Sequence, residues 1–159
     1  ANSITHDGTG GDARPINSKS STQDGLNPSV IVLDESHAQH FQLHDVLKSA
    51  QGARQNPLIL APTTAGTDLT SVGYALRQQV EKLRDDVFVA DHLLGALYEL
   101  DPDDRWDDPQ VWIKSAPMIG VSPRVEWVQS FAQDAAQIPG TEAEVQTKIC
   151  NRWLRALRM

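Results

Sequence analysis

The chain has 159 residues, 40% hydrophobic and 22% charged, with a formal net charge of −7 from 21 acids against 14 Lys and Arg. That suffices for one domain with a real core but not comfortably for two, and so acidic a chain is poorly suited to coating nucleic acid by itself, because phosphate neutralisation needs clustered Lys and Arg. Its one cysteine, Cys150, excludes an internal disulfide and fits a reducing compartment; no apolar stretch approaches the ~20 residues that cross a bilayer, and the N-terminus is not expected to be a signal peptide.

Residues 1–28, rich in Gly, Ser, Asn and Asp, read as irregular, with ITHD (4–7) and RPIN (14–17) as candidate short strands. In SVIVLDE (29–35) the consecutive apolar residues Val30 to Leu33 predict a strand covered on both faces, as in a parallel sheet. Residues 37–51 read as a helix with an apolar stripe of Leu43, Val46, Leu47 and Ala50, stopped at Gly52. A second strand is expected from Leu58 to Ala61, between Pro57 and Pro62. Leu69, Val72, Leu76, Val80 and Leu83 recur at helical spacing and predict a helix over about 68–85, capped by Thr67 or Asp68. Strand, helix, strand, helix implies right-handed crossovers and a three-layer α/β sandwich.

Residues 87–100, VFVADHLLGALYEL, fit either a strand pair or a strand and short helix. DPDDRWDDPQ (101–110) reads as an acidic surface loop, from which Asp108 and Pro109 start a short helix through Trp112. A helix over 123–137 is predicted to open at Pro123, capped by Ser122, and to bury Val125, Val128 and Phe131; another is expected from Thr141. On that last helix Lys148, Arg152, Arg155 and Arg158 fall at i, i+4, i+7 and i+10, a cationic face for DNA or a partner, or merely a favourable complement to a helix C-terminus. Trp106, Trp112, Trp127 and Trp153 read as packing residues rather than base-stacking platforms.

In an open parallel sheet, ligands bind beyond the carboxyl ends of the strands, where Asp34 and Glu35 fall. Four apolar residues followed by Asp-Glu is the pattern P-loop ATPases use after their phosphate loop: the Asp holds Mg²⁺ through water and the Glu polarises the attacking water. Alone, the motif is also what any buried strand shows where the chain returns to solvent. His37, His40 and His44, at i, i+3 and i+7, raise a zinc site with Glu35. The HExxH order is absent, and a solvated helix shoulder is the preferred reading.

The order Gly-Leu-Asn-Pro, apolar strand, Asp-Glu-x-His, helix, Gly-Ala-Arg (52–54), Pro-Leu strand and Thr-Thr-Ala-Gly (63–66) is followed by YELDPDDRWDDPQVWIKSAPMIGVSP (98–123) and NRW (151–153). Together, over residues 14–153, these resemble the large subunit of tailed-bacteriophage terminases, which package DNA with an N-terminal ATPase and cut concatemers with a C-terminal nuclease. The resemblance implies a P-loop-type ATPase core over 1–100, an α/β three-layer sandwich with a mostly parallel sheet, and a small helical linker subdomain over 101–159. It implies ATP and Mg²⁺ as cofactors, with Asp34 holding Mg²⁺ through water and Glu35 as the catalytic acid. Thr63, Thr64, Ala65 and Gly66 would be the coupling motif and γ-phosphate sensor, and Arg54 and Arg77 are candidate arginine fingers. Implied partners are double-stranded viral DNA, portal protein and the terminase small subunit, in a homo-oligomeric ring in the host cytoplasm, with no membrane.

The departure is the phosphate loop. No G-x-x-x-x-G-K-[ST] occurs, and GTGGDARP (8–15) lacks the Lys and the spacing. The expected sheet therefore lacks its phosphate-loop strand and leaves LILA (58–61) as an uncovered apolar edge. The expectation is a fragment or a truncated prophage-type product, inactive on its own. The alternative is a non-catalytic interaction or assembly module that kept the scaffold.

Overall fold

The computed structural model describes residues 3–17, 25–138 and 140–155. The chain divides into two compact units, residues 1–31 with 41–60 and residues 32–40 with 61–159.

In the first unit, β1 (Ile4–His6) and β2 (Gly11–Ala13) form an antiparallel hairpin with Ile4 opposite Ala13 and His6 opposite Gly11. Gly10 takes φ 67°, a left-handed conformation that a residue without Cβ adopts readily, and its N–H donates to the His6 carbonyl at 2.9 Å. The first expected strand is present; RPIN is not a strand. The glycine turn folds the chain straight back onto β1, and Pro15 has no N–H with which to extend the ladder.

β3 (Val30–Val32) and β4 (Leu58–Leu60) form a small parallel sheet, with α1 (Phe41–Ala50) between them in sequence. Burial alternates. Ile31 is buried, whereas Val30, Val32, Leu58 and Leu60 are 53%, 59%, 47% and 46% exposed. The described residues thus cover one face of the pair rather than both, because one intervening helix supplies apolar partners to one side only. α1 buries Leu43 and Leu47, at i and i+4 of the predicted stripe. It starts at Phe41 rather than 37 because Ser36–Ala38 is a 3-10 turn and Gln39 is extended. Just past the helix, buried Gln51 donates from Nε2 to the carbonyls of Ser29 (3.3 Å) and Leu58 (3.2 Å), so one satisfied amide ties the starts of both strands.

In the second unit, the 3-10 turn packs against α2 (Val72–Arg84). Ser71 is the cap, its Oγ accepting from Tyr74 N at 3.4 Å. Asp68, an expected cap, instead accepts from Thr70 N (2.8 Å) and Thr70 Oγ1 (2.6 Å), closing a turn ahead of the helix and delaying its start. These bonds hold the Asp68 carboxyl below its ordinary range. Residues 87–100 are neither the expected strand pair nor a strand and helix. Val87, Val89 and Leu94 are 68%, 88% and 98% exposed, so no consistent face exists for a regular element to bury.

The unit's helical part comprises α3 (Trp112–Ser115), α4 (Val125–Gln137) and α5 (Glu142–Lys148). They share a core of Leu100, Trp112, Val128, Ala132, Ala135, Val145, Ile149 and Cys150. α4 opens at Val125 with no side-chain cap, so Ser122 does not cap it. It buries Val128, Ala132 and Ala135, while Val125 and Phe131 are half-buried. Trp112 is 1% exposed and donates from Nε1 to the Trp106 carbonyl at 2.8 Å. Trp153 packs on Tyr74, ring centroids 5.2 Å apart, and Trp127 stacks on Phe131 while remaining 55% exposed.

The expected cationic helix face does not form. α5 ends at Lys148, Asn151 turns the backbone to φ 51°, and Arg158 lies outside the described residues. Arg152 folds inward onto the acidic loop, donating from Nη2 to the carbonyls of Asp101 and Asp104, each at 2.5 Å. Lys114 closes the same loop against the carboxylates of Asp101 (2.6 Å) and Asp104 (2.8 Å), and its bond keeps the Asp104 carboxyl below the usual range. No helix among the described residues is long and apolar enough to cross a membrane.

Candidate functional site

The candidate site lies within the second unit. Beyond β3 the chain runs through buried Leu33 to Asp34 and Glu35, then enters the 3-10 turn. Glu35 sits in the left-handed region, φ 52° and ψ 47°. For a residue with a Cβ that conformation costs on the order of 1–3 kcal/mol and persists only where the surroundings over-determine it. The surroundings are visible. Asp34 Oδ1 accepts from Glu35 N at 3.0 Å, and Glu35 Oε2 lies 2.9 Å from His37 Nδ1.

His37 brings the acids to the threonine turn. Its backbone N–H donates to Thr63 Oγ1 at 3.0 Å, and its Nδ1 lies 2.9 Å from the same oxygen. The Thr63 hydroxyl donates onward to the Thr64 carbonyl at 2.9 Å. On the far side of the ring, Lys148 Nζ stands 3.4 Å from His37 Nε2 and 3.4 Å from Thr64 Oγ1. Asp34, Glu35, Thr63 and Thr64 are therefore linked through His37 at the carboxyl end of the strand.

The rest of the threonine turn is buried and tied from behind. Ala65 N donates to Asn151 Oδ1 at 3.4 Å, and Leu154 N donates to the Gly66 carbonyl at 3.2 Å. Asn151 also donates from Nδ2 to the carbonyls of Tyr98 (2.9 Å) and Ser115 (3.2 Å). The segment NRWL thus backs the turn TTAG.

The two candidate arginines lie elsewhere. Arg54, in the first unit, donates from Nε to the Asn27 carbonyl at 2.9 Å. Arg77, on α2, forks onto Glu99 at 2.8 and 2.9 Å and bonds Glu81 at 2.8 Å. Burial works against its charge, but the Glu99 bond and the charges of Glu99 and Glu81 outweigh it and hold the guanidinium protonated.

The zinc reading does not survive. Among the described residues no group of three or more His, Cys, Asp or Glu could hold a metal ion. His37 lies in the 3-10 turn, His40 just before α1, and His44 within α1 against Asp45, so the three share no helical arc. Asp34 alone is an exposed carboxylate with one oxygen engaged. That donor set suits a hard cation carried mostly by water and phosphate oxygens, as Mg²⁺ is with a nucleotide, rather than a protein cage.

Local sequence pattern does not group His37, Lys148 and Asn151 into one cluster. The signal for His37 is its place in Asp-Glu-x-His; nothing local marks Lys148, 111 positions away.

Residues 5–82 match the family described as terminase large subunit, ATPase domain. The chain is 35% identical over 134 residues to Protein YmfN of Escherichia coli (strain K12), covering 84% of this chain and 30% of that protein. It matches the crystal structure of the HK97 bacteriophage large terminase with a TM-score of 0.67 at 21% identity, over 81% of this chain and 26% of that one. The chain spans less than a third of the length of either relative, and the second likeness establishes a shared fold.

Proposed function

Because residues 5–82 match the terminase large subunit ATPase family, we propose that the chain carries the Walker B acid pair and coupling turn of an ATP-driven viral DNA packaging motor. The observation that carries this is the joining of Glu35 and Thr63 through one histidine, with Asp34 open beside them. In this reading the small sheet is part of a three-layer, P-loop-type core. In the same reading residues 1–100 are ATPase core and 101–159 the linker subdomain, with residues 61–100 packed in one compact unit with 101–159.

Bound Mg-ATP supplies the scissile anhydride and neutralises the phosphate charge. Asp34 would hold the Mg²⁺ that accompanies the nucleotide. Glu35 accepts a proton from the attacking water and orients it. Thr63 and Thr64 lose a hydrogen-bond partner when the terminal phosphate leaves, and the turn through Ala65 and Gly66 passes that change to the residues behind it. For Arg54 or Arg77 to serve as a finger on a neighbouring chain's phosphate in a homo-oligomeric ring, each would have to leave its present partner, Asn27 for Arg54 and Glu99 with Glu81 for Arg77. The partners are double-stranded viral DNA, portal protein and small subunit, met in the host cytoplasm.

The second reading is a non-catalytic assembly module that kept this scaffold. The test is Glu35→Gln in a protein that joins this segment to a phosphate loop. Mg-ATP binding should persist while turnover falls by roughly 10²–10⁴-fold, the usual worth of a general base. Undiminished turnover removes Glu35 from the mechanism, and absence of both binding and turnover in the unsubstituted protein favours the module.

A further inference from the structure

We infer that His37 is a positioning residue that holds the Glu35 carboxylate, and that Lys148 fixes the imidazole tautomer that lets it do so. This rests on the reading of Glu35 as the base.

His37 occupies a slot between two glycines. A Cβ on Gly73 would lie 2.8 Å from His37 N and 2.9 Å from the Ser36 carbonyl carbon; one on Gly66 would lie 3.1 Å from His37 Cδ2 and 3.2 Å from its Cβ. Real side chains cannot occupy the first position and scarcely fit the second. The ring is 17% exposed, and its orientation is set by backbone on one side and a turn on the other.

Proton accounting then fixes the tautomer. Nδ1 makes its hydrogen bond to Thr63 Oγ1 at 2.9 Å, with the Glu35 carboxylate, which can only accept, also 2.9 Å away. Thr63 Oγ1 has its own proton on the Thr64 carbonyl, so toward the ring it can only accept, and the proton of that bond sits on Nδ1. With Nδ1 protonated, neutral Nε2 is an acceptor, and the group facing it is the Lys148 ammonium, which can only donate. Every proton finds one place.

Lys148 is itself well anchored. It ends α5, where its neighbours Thr147 and Ile149 are 5% and 9% exposed, and Thr147 Oγ1 bonds the Ala143 carbonyl at 2.8 Å. The lysine therefore approaches from a packed helix. A carboxylate in strained backbone, held through an imidazole by a cation on that helix, has fewer orientations to lose before it meets water.

The experiment uses the full chain with ¹⁵N-labelled histidine, and His37→Ala to assign the signals. The unsubstituted protein should show His37 with a proton on Nδ1 and none on Nε2 at a pH where the ring is neutral. Lys148→Met should lose that single-tautomer pattern and give averaged shifts, while Lys148→Arg, which keeps a donor, should restore it. A proton on Nε2 in the unsubstituted chain, or a pattern unchanged in Lys148→Met, overturns the proposal. Far-UV circular dichroism matching the unsubstituted chain guards against a merely unfolded variant. The measurement needs no nucleotide, so its failure leaves Asp34 and Glu35 to the turnover test. Failure of the turnover test alone leaves the His37 tautomer as found.

Discussion

A Cβ placed on Gly73 would stand 2.8 Å from the backbone nitrogen of His37, closer than real side chains approach. The first turn of α2 and the turn bearing the acids are thus pressed together at a point where only hydrogen fits. Gly73→Ala gains less helix propensity in this first turn than the ~1 kcal/mol of a helix interior. The clash is with backbone rather than a movable side chain, so a net loss of about 1–3 kcal/mol is expected. Chemical denaturation checks this; a midpoint equal to or above that of the unsubstituted chain would show that the two elements separate without cost.

Asn151 makes a second test of how the threonine turn is held. Its side chain bonds Ala65 N and the carbonyls of Tyr98 and Ser115, and its backbone sits at φ 51°. Asn151→Ala removes the bonds and retains an unfavourable conformation; Asn151→Gly removes the bonds and relieves it. Both should lose stability, on the order of 1–3 kcal/mol for polar groups left without partners, with the alanine variant the worse. The Ala65 amide should exchange faster with solvent in both. Unchanged exchange there would mean that NRWL does not support the turn.

Arg77 separates a structural role from service as a finger. Its guanidinium is 22% exposed and spans Glu99 and Glu81, themselves 23% and 30% exposed. Arg77→Ala should lower the thermal midpoint and speed amide exchange across 87–98, because Glu99 anchors that irregular segment to α2. Arg77→Lys keeps the charge but not the two-pronged geometry, and should restore less than half of the loss. A variant as stable as the original that abolishes turnover in a complete motor would favour the finger.

Much of this architecture was readable in local pattern. The strand leading to Asp34, the Leu43 and Leu47 stripe, β4 and α2 all follow from apolar periodicity, and the order of motifs points to the terminase large subunit family that residues 5–82 match. What was missed depends on contacts distant in sequence. Residues 87–100 are rich in apolar β-formers yet form no strand, since they are held by α2: Glu99 through Arg77, and Gly95 beside Val80, where a Cβ would meet Val80 Cγ2 at 2.1 Å. The tail after Lys148 looked helical by charge spacing, but Arg152 reaches the carbonyls of Asp101 and Asp104 instead. Helical spacing grouped His37 with His40 and His44, whereas its partners are Glu35, Thr63 and Lys148. Tertiary pairing, not local preference, decides each of these cases.

Cys150 offers a test of the helical core by chemistry. Its side chain is wholly buried beside Val145 and Ile149, with Sγ 3.6 Å from the Trp106 carbonyl. Burial pushes the thiol up to about 11, only partly opposed by the charge of Arg152. The thiolate is the reactive form, so at pH 8 the folded chain should resist a thiol-alkylating reagent, and in denaturant it should take up one equivalent. Linkage gives the sign for stability. Above its ordinary value of 9.0 the unfolded thiol releases its proton while the folded one keeps it to about 11, so alkali favours unfolding across that window. Denaturation midpoints should fall between pH 9 and 11 in the native chain, and fall less in Cys150→Ala, where the titrating group is gone. Rapid labelling of the folded protein at pH 8, or identical pH profiles for the two chains, would mean that the core around Val145 opens readily to solvent.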